Sequence, residues 1–199
     1  MKFYDEILKW KNNGYSTINS KGNEFICHVH KDIKDDYLHI LFYPLDKKKQ
    51  KEIIKEYNIK ENNGLKEYFK FIFEHNGAVL YSGAIVFFGY TDNIIPNVFL
   101  EQSSLNKMNE LDRFVADNPV YLYIGNLMHR DYDNVNIYIN KKTGYILWLH
   151  KNEIFKEFES LDEMLNHIIE YYDNKYGLNG ENLNYKNKSK NVYENVQLY

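Results

Sequence analysis

Two groups of residues have the types and spacing that chemistry would need. His28 and His30 share one face of an extended segment, because side chains alternate along a strand. His39 lies on a second such segment, and three imidazoles on neighbouring strands could hold a divalent metal. His129, Asp131 and Asp133 stand at i, i+2 and i+4. In an extended backbone they would converge and could supply a metal site or a general acid and base. Neither group is a complete motif. No carboxylate or thiolate keeps a fixed spacing to the first group, and Cys27 points away from it. The second has no positioned nucleophile beside it. The ordinary reading of both is polar strand or loop residues, so no resident metal or cofactor is expected. Cys27 makes no dyad with His28 or His30, since strand neighbours point to opposite faces. The chain has no phosphate loop, serine elbow, zinc-finger spacing or RNA-recognition signature.

The elements that would position such groups are clearer than the groups themselves. In Gly64 to Gly77, Leu65, Tyr68, Phe69, Ile72 and Phe73 follow i, i+3, i+4, i+7, i+8, the stripe of an amphipathic helix. Asn63 is the expected cap, and Asn76-Gly77 the left-handed stop. An earlier helix is expected from Asp46 to about Tyr57, buried through Ile53, Ile54 and Tyr57, although Lys47, Lys48 and Lys49 oppose the dipole of its first turn. Ser160-x-x-Glu163 is a capping box opening a last helix, with Leu161, Leu165, Ile168, Ile169 and Tyr172 inward and Gly177 as its end. Residues 2–12 read as a short helix.

Strand signals fall at Glu24 to His30, Tyr37 to Tyr43, Val79 to Tyr81, Ala84 to Phe88, and Val120 to Ile124 ending at Gly125. Asn134 to Asn140 alternates, with Val135, Ile137 and Ile139 on one face and Tyr138 among asparagines on the other. Lys141-Lys142-Thr143-Gly144 is a hairpin turn with Gly144 at the left-handed position, and Tyr145 to His150 returns. The polar stretch 91–118 reads as a long loop with a short helix near Leu105 to Phe114. Leu178 onward reads as a polar tail. These elements make an α+β domain over 1–177, with residues 178–199 as the tail.

Composition narrows the function classes. Hydrophobic residues make up 44% of the chain and charged residues 27%, enough to bury a core and to disfavour wholesale disorder. A net charge of −3 disfavours a general nucleic-acid binder. A single cysteine forms no internal disulfide, which fits a reducing compartment. The start MKFYDEILKW has acids within its apolar pattern, unlike a signal peptide. The longest apolar run, Ala78 to Tyr90, is too short and broken to span a membrane. A cytoplasmic protein is expected. Charge is uneven: residues 151–173 hold Lys151 and Lys156 against Glu153, Glu157, Glu159, Asp162, Glu163, Glu170 and Asp173. This stretch reads as a solvated helix surface or as an acidic face for a basic partner.

The ordered set of segments resembles the SUKH superfamily, which includes the Smi/Knr cell-wall regulators of fungi and many bacterial immunity proteins. DKKKQKEIIKEYNIK (46–60) is similar to the family's lead helix. GLKEYFKFIFEHNG (64–77) is similar to its Tyr-x-x-Phe helix with a closing Asn-Gly, and FFGY (87–90) ends an apolar strand. YLYIGN (121–126) is similar to its Ile-Gly strand end, NIYINKKTGYILWL (136–149) to its hairpin, and FESLDEMLNHII (158–169) to its closing helix. The match covers about 44–172. Asn63-Gly64-Leu65 replaces the usual Leu-Pro, and His129 to Asp133 replaces the usual Gly-Asp.

The resemblance implies a central, mainly antiparallel sheet flanked by helices, Smi/Knr-like. It also implies a non-catalytic module that neutralises a cognate toxin, often a nuclease, by binding it. The expected contacts are Asp131, Asp133, Glu153, Glu157 and Glu159. Trp148 reads equally as an aromatic anchor for the partner or as a residue packed under a helix. The partner is a protein with a basic surface, with no direct role for nucleic acid or membrane. The other readings are a metal-dependent enzyme using His129, Asp131 and Asp133, and a regulatory scaffold.

Overall fold

The computed structural model describes residues 11, 15–27, 37–59, 62–81, 83–91, 102–127, 134–151 and 153–173. Nine strands in these residues form one antiparallel sheet in which spatial order is chain order. They are β1 (Tyr15–Ile18), β2 (Glu24–Cys27), β3 (Tyr37–Leu41), β4 (Ala78–Leu80), β5 (Ile85–Phe87), β6 (Tyr121–Leu127), β7 (Val135–Asn140), β8 (Ile146–His150) and β9 (Glu153–Phe158). The described helices are α1 (Lys47–Glu56), α2 (Asn63–His75), α3 (Leu105–Leu111), α4 (Arg113–Asp117) and α5 (Leu161–Asp173). The class is α+β, as expected, with a sheet flanked by helices. No described helix is long and apolar enough to cross a membrane. The expected helix at 2–12 and the tail at 178–199 lie outside the described residues.

Alternation along the strands sorts the helices between the two faces. Trp148 on β8 pairs with Ile137 on β7, and its ring meets Phe158 of β9 and His167 of α5. On the other face, Tyr138 and Tyr123 stack with centroids 4.9 Å apart, and Phe114 of α4 lies 5.1 Å from Tyr138. Both faces of β6 and β7 are therefore covered. Tyr138, expected beside asparagines on a polar face, is 1% exposed.

The striped helix behaves as its spacing demands. Leu65, Tyr68, Phe69 and Ile72 are buried, Phe73 is half-buried, and Phe71 is also buried against Phe87. The cap is Asn62, one residue before the expected Asn63. Asn62 Oδ1 accepts from the Leu65 N–H at 2.9 Å, while its Nδ2 donates to the carbonyls of Asn140 and Lys141. One side chain thus starts α2 and docks it on the β7–β8 turn. Gly64 makes that docking possible, because a Cβ there would sit 2.1 Å from the Gly144 carbonyl oxygen. Asn76 ends the helix in the left-handed region at φ 33°, and its side chain holds both the N–H and the carbonyl of Tyr90.

Three elements differ from the sequence expectation. β6 runs through Gly125 to Leu127 instead of ending there. The glycine answers a close approach, since a Cβ would lie 2.2 Å from the Val86 carbonyl oxygen. The single short helix expected near Leu105 to Phe114 is two helices, each started by its own cap: Ser104 for α3 and Asp112 for α4. The acidic stretch read as helix surface begins as a strand, β9, and only then becomes α5.

Candidate partner-binding surface

Among the described residues β9 pairs only with β8, so it forms one edge of the sheet. Its register places Glu157 opposite Leu147, Lys156 opposite Trp148, Ile154 opposite Leu149 and Glu153 opposite His150. A register shift falls between Trp148 and Leu149. A bulge of this kind twists an edge and makes it a poor template for a further strand.

The side chains of β9 divide by what they touch. Phe158 is buried with its ring 4.9 Å from Trp148. Lys156 lays its stem over these rings, with Nζ 5.3 Å from the Phe158 centroid and 5.8 Å from that of Trp148. Its ammonium lies 3.0 Å from His167 Nε2. Lys156 is always a donor, so the imidazole nitrogen facing it is the acceptor. Burial, and then the Lys156 charge, push the His167 pKa below its ordinary 6.5, while Glu170 and Glu163 oppose this. The main cation of this corner is thereby turned inward.

Glu153, Glu157 and Glu159 remain exposed. Among them Ile154 stands 48% exposed, one apolar knob within acids.

The corner is rigidly attached. Ser160 Oγ accepts from the Glu163 N–H at 3.1 Å, as the capping box requires. The return bond reaches one residue further than usual, from the Glu159 N–H to Glu163 Oε2 at 2.7 Å. Glu67 of α2 accepts from the Leu161 N–H at 2.9 Å. A carboxylate from another helix thus completes the start of α5, where the dipole favours negative charge.

The expected site residues separate into three groups. Glu153, Glu157 and Glu159 are all exposed on or just after β9, with Glu157 on the Leu147 face and Glu153 on the face of Trp148 and His150. Trp148 does not join them as an anchor. It is 2% exposed beneath α5, and its role is to hold β8, β9 and α5 in place. Asp131 and Asp133 lie outside the described residues, as do His28, His30 and His129. His39, expected on a polar surface, is 1% exposed in the core. Its Nδ1 accepts from the Tyr81 N–H at 3.3 Å and its ring meets Tyr81 edge-on. Among the described residues no three His, Cys, Asp or Glu cluster as metal ligands would.

Sequence reasoning missed a polar network on the opposite face. Tyr138 donates to Asp112 Oδ2 at 2.9 Å, Asn136 donates to the Tyr138 oxygen, Tyr123 donates to Asn136 Oδ1 at 3.0 Å, and Asn126 donates to the Tyr123 oxygen. Burial pushes both phenols well above their ordinary range, and nearby Asp112 pushes the same way. They stay protonated donors at neutral pH and cannot serve as bases. Asp112 also caps α4 through the Val115 N–H. The network joins α4 to β6 and β7, so its chemistry is structural. The alternation Asn134 to Asn140, with Tyr138 in its polar set, was the available signal.

Compared with known proteins, the chain matches no family model, no curated protein and no solved structure.

Proposed function

We propose that this chain is a non-catalytic protein-binding module that neutralises a basic protein partner, in the manner of SUKH-type immunity proteins acting on toxins. The observation that carries the reading is the β9–α5 corner: three exposed carboxylates and one exposed isoleucine on a bulged, pinned sheet edge. Clustered acids raise the encounter rate with a basic surface and penalise acidic competitors. The exposed Ile154, on the same face as Glu157, supplies an apolar contact beside that charge. A bulged, charged edge resists pairing with a second strand, so recognition runs through side chains. The resemblance in segment order, the cytoplasmic setting expected for a chain with one cysteine and the toxin class of partner all belong to this proposal.

The test is affinity capture from native lysate, with bound proteins identified by mass spectrometry, followed by titration of the captured partner. A small basic toxin domain retained at moderate salt is the expected result. Charge reversal at Glu153→Lys, Glu157→Lys and Glu159→Lys together should then weaken binding at least about tenfold, at about 1.4 kcal/mol per decade. Stability should shift by no more than about 0.5 kcal/mol per substitution, as usual for exposed positions. Unchanged affinity in the triple variant would move the interface elsewhere. An eluate without any basic partner would end the immunity reading.

A further inference from the structure

A second surface of opposite charge lies between α1 and α2. The two helices enclose an open groove of about 400 Å³ floored by the half-buried Ile54 and Phe73, with the buried Phe69 behind them, and rimmed by Lys47, Lys66 and Lys70. Glu74 is the one acid in its lining. The walls are tied together: Gln50 Nε2 donates to the Leu45 carbonyl at 2.8 Å and to that of Phe73, across the two helices, at 3.4 Å. The Tyr57 and Phe69 rings meet at 4.9 Å beneath it. The groove is thus formed before any ligand arrives.

The lysines of the rim are not committed to carboxylates. Lys47 donates to Gln50 Oε1 and Lys66 to Asn63 Oδ1, both at 3.4 Å and both to neutral amides. Neither these two nor Lys70 forms an ion pair with a described residue. The first turn of α1 contains no acid, so its lysines oppose the helix dipole. Helix stability does not account for that placement. Anion binding does.

We propose that this groove docks an acidic amphipathic helical segment of a partner protein, with apolar anchors on the half-buried Ile54 and Phe73 and carboxylates against Lys47, Lys66 and Lys70. Lys66 and Lys70 stand one helical turn apart, about 6 Å along the axis. That matches carboxylates at i and i+4 of a bound helix. The stretch of α1 from Lys47 to Ile54 rises about 10 Å, room for two turns of ligand, as in helix-in-groove recognition. The surface is distinct from the acidic corner. On α2, Glu67 turns to α5 while Lys66, Lys70 and Phe73 line the groove.

The experiment is fluorescence anisotropy on the purified full chain. The probe is a labelled peptide of about 14 residues, long enough to be helical when bound, with Leu at i and i+4 and Glu on the flanking positions. A control peptide carries Lys in place of Glu. Saturable binding of the acidic probe at low salt is expected, weakened about tenfold by Lys66→Glu with Lys70→Glu and strongly reduced by salt. The basic control should bind at least about tenfold more weakly here. The Glu153→Lys, Glu157→Lys, Glu159→Lys variant should retain the acidic probe, which separates this surface from the one proposed above. A melting curve for each variant establishes that it is folded. The proposal falls if the acidic probe does not saturate, if the folded double variant binds as tightly as wild type, or if both peptides bind equally. It also falls if the chain self-associates in sedimentation and excludes the probe, which would give the groove to a second copy.

Discussion

The β6–β7 pair and the β8–β9 pair are both antiparallel ladders interrupted by a register shift, yet they use their side chains in opposite ways. Between β6 and β7, Tyr123 and Tyr138 stack under Phe114 on one face, while Ile137 and Ile139 are buried on the other. Even the polar atoms there bond inward, to Asp112 and Asn136. β9 is covered only in part, along the Lys156–Phe158 end of its Trp148 face. Phe158 goes under α5, Lys156 is folded onto Trp148 and His167, and Glu153, Ile154 and Glu157 face water. Residues that satisfy one another make scaffold. Residues left facing outward in one charge class are where a partner can gain something.

The largest effect should come from breaking the scaffold side. Phe69 is fully buried and its ring meets Tyr57, Tyr68 and Phe73. Phe69→Ala should cost about 3–5 kcal/mol in denaturant unfolding. A loss near zero would mean that this helix face is not core.

The next effect has an unusual sign. An alanine in place of a helical glycine normally stabilises, by about 1 kcal/mol. Gly64→Ala should instead destabilise by about 1–3 kcal/mol, the range for overpacking, because its Cβ would strike the Gly144 carbonyl. Stabilisation would show that α2 does not sit against the β7–β8 turn.

The smallest effect concerns pH and sharpens the edge side. His167 and His75 both have pKa values lowered below 6.5, chiefly by burial. The unfolded chain takes up these protons first, so stability is full above about pH 6.5 and falls as pH drops through the depressed native values. Denaturation midpoints at pH 7.5 and 5.5 should show this loss, with a smaller difference in His167→Gln with His75→Gln. An equal pH response in that variant would mean that the Lys156–His167 contact does not hold His167 neutral.

Legibility in the sequence followed the strength of the physical signal. α2, α5 and the β7–β8 hairpin were readable because the 3.6-residue stripe, the capping box and a turn glycine at φ 86° each act within a few residues. β9 was hidden because Glu153 to Phe158 mixes charge and aromatic residues without clean alternation and leads directly into a helix. β1, with the sequence YSTI, has too little apolar content to stand out. Gly125 misled because a close backbone approach and a strand end call for the same residue. Of the candidate surface, the exposure of the three glutamates could be expected from charge alone. For Trp148 the sequence left anchor and buried residue both open, and the choice depends on α5 folding back over β8, a contact between residues 148 and 167.

The sheet order carries a kinetic consequence. Each described strand pairs with the strand before and after it in the chain, so ladder formation never waits for a distant segment to thread between two others. The costliest closures are the two helical excursions, from Leu41 to Ala78 and from Phe87 to Tyr121. Loop-closure entropy grows only slowly with length, and low contact order speeds folding. The sheet can therefore assemble by zippering from its β6–β8 centre and open from its rims. Amide hydrogen exchange should then be slowest in β7 and fastest in β1, with β9 slower than β1 because α5 and Lys156 pin it.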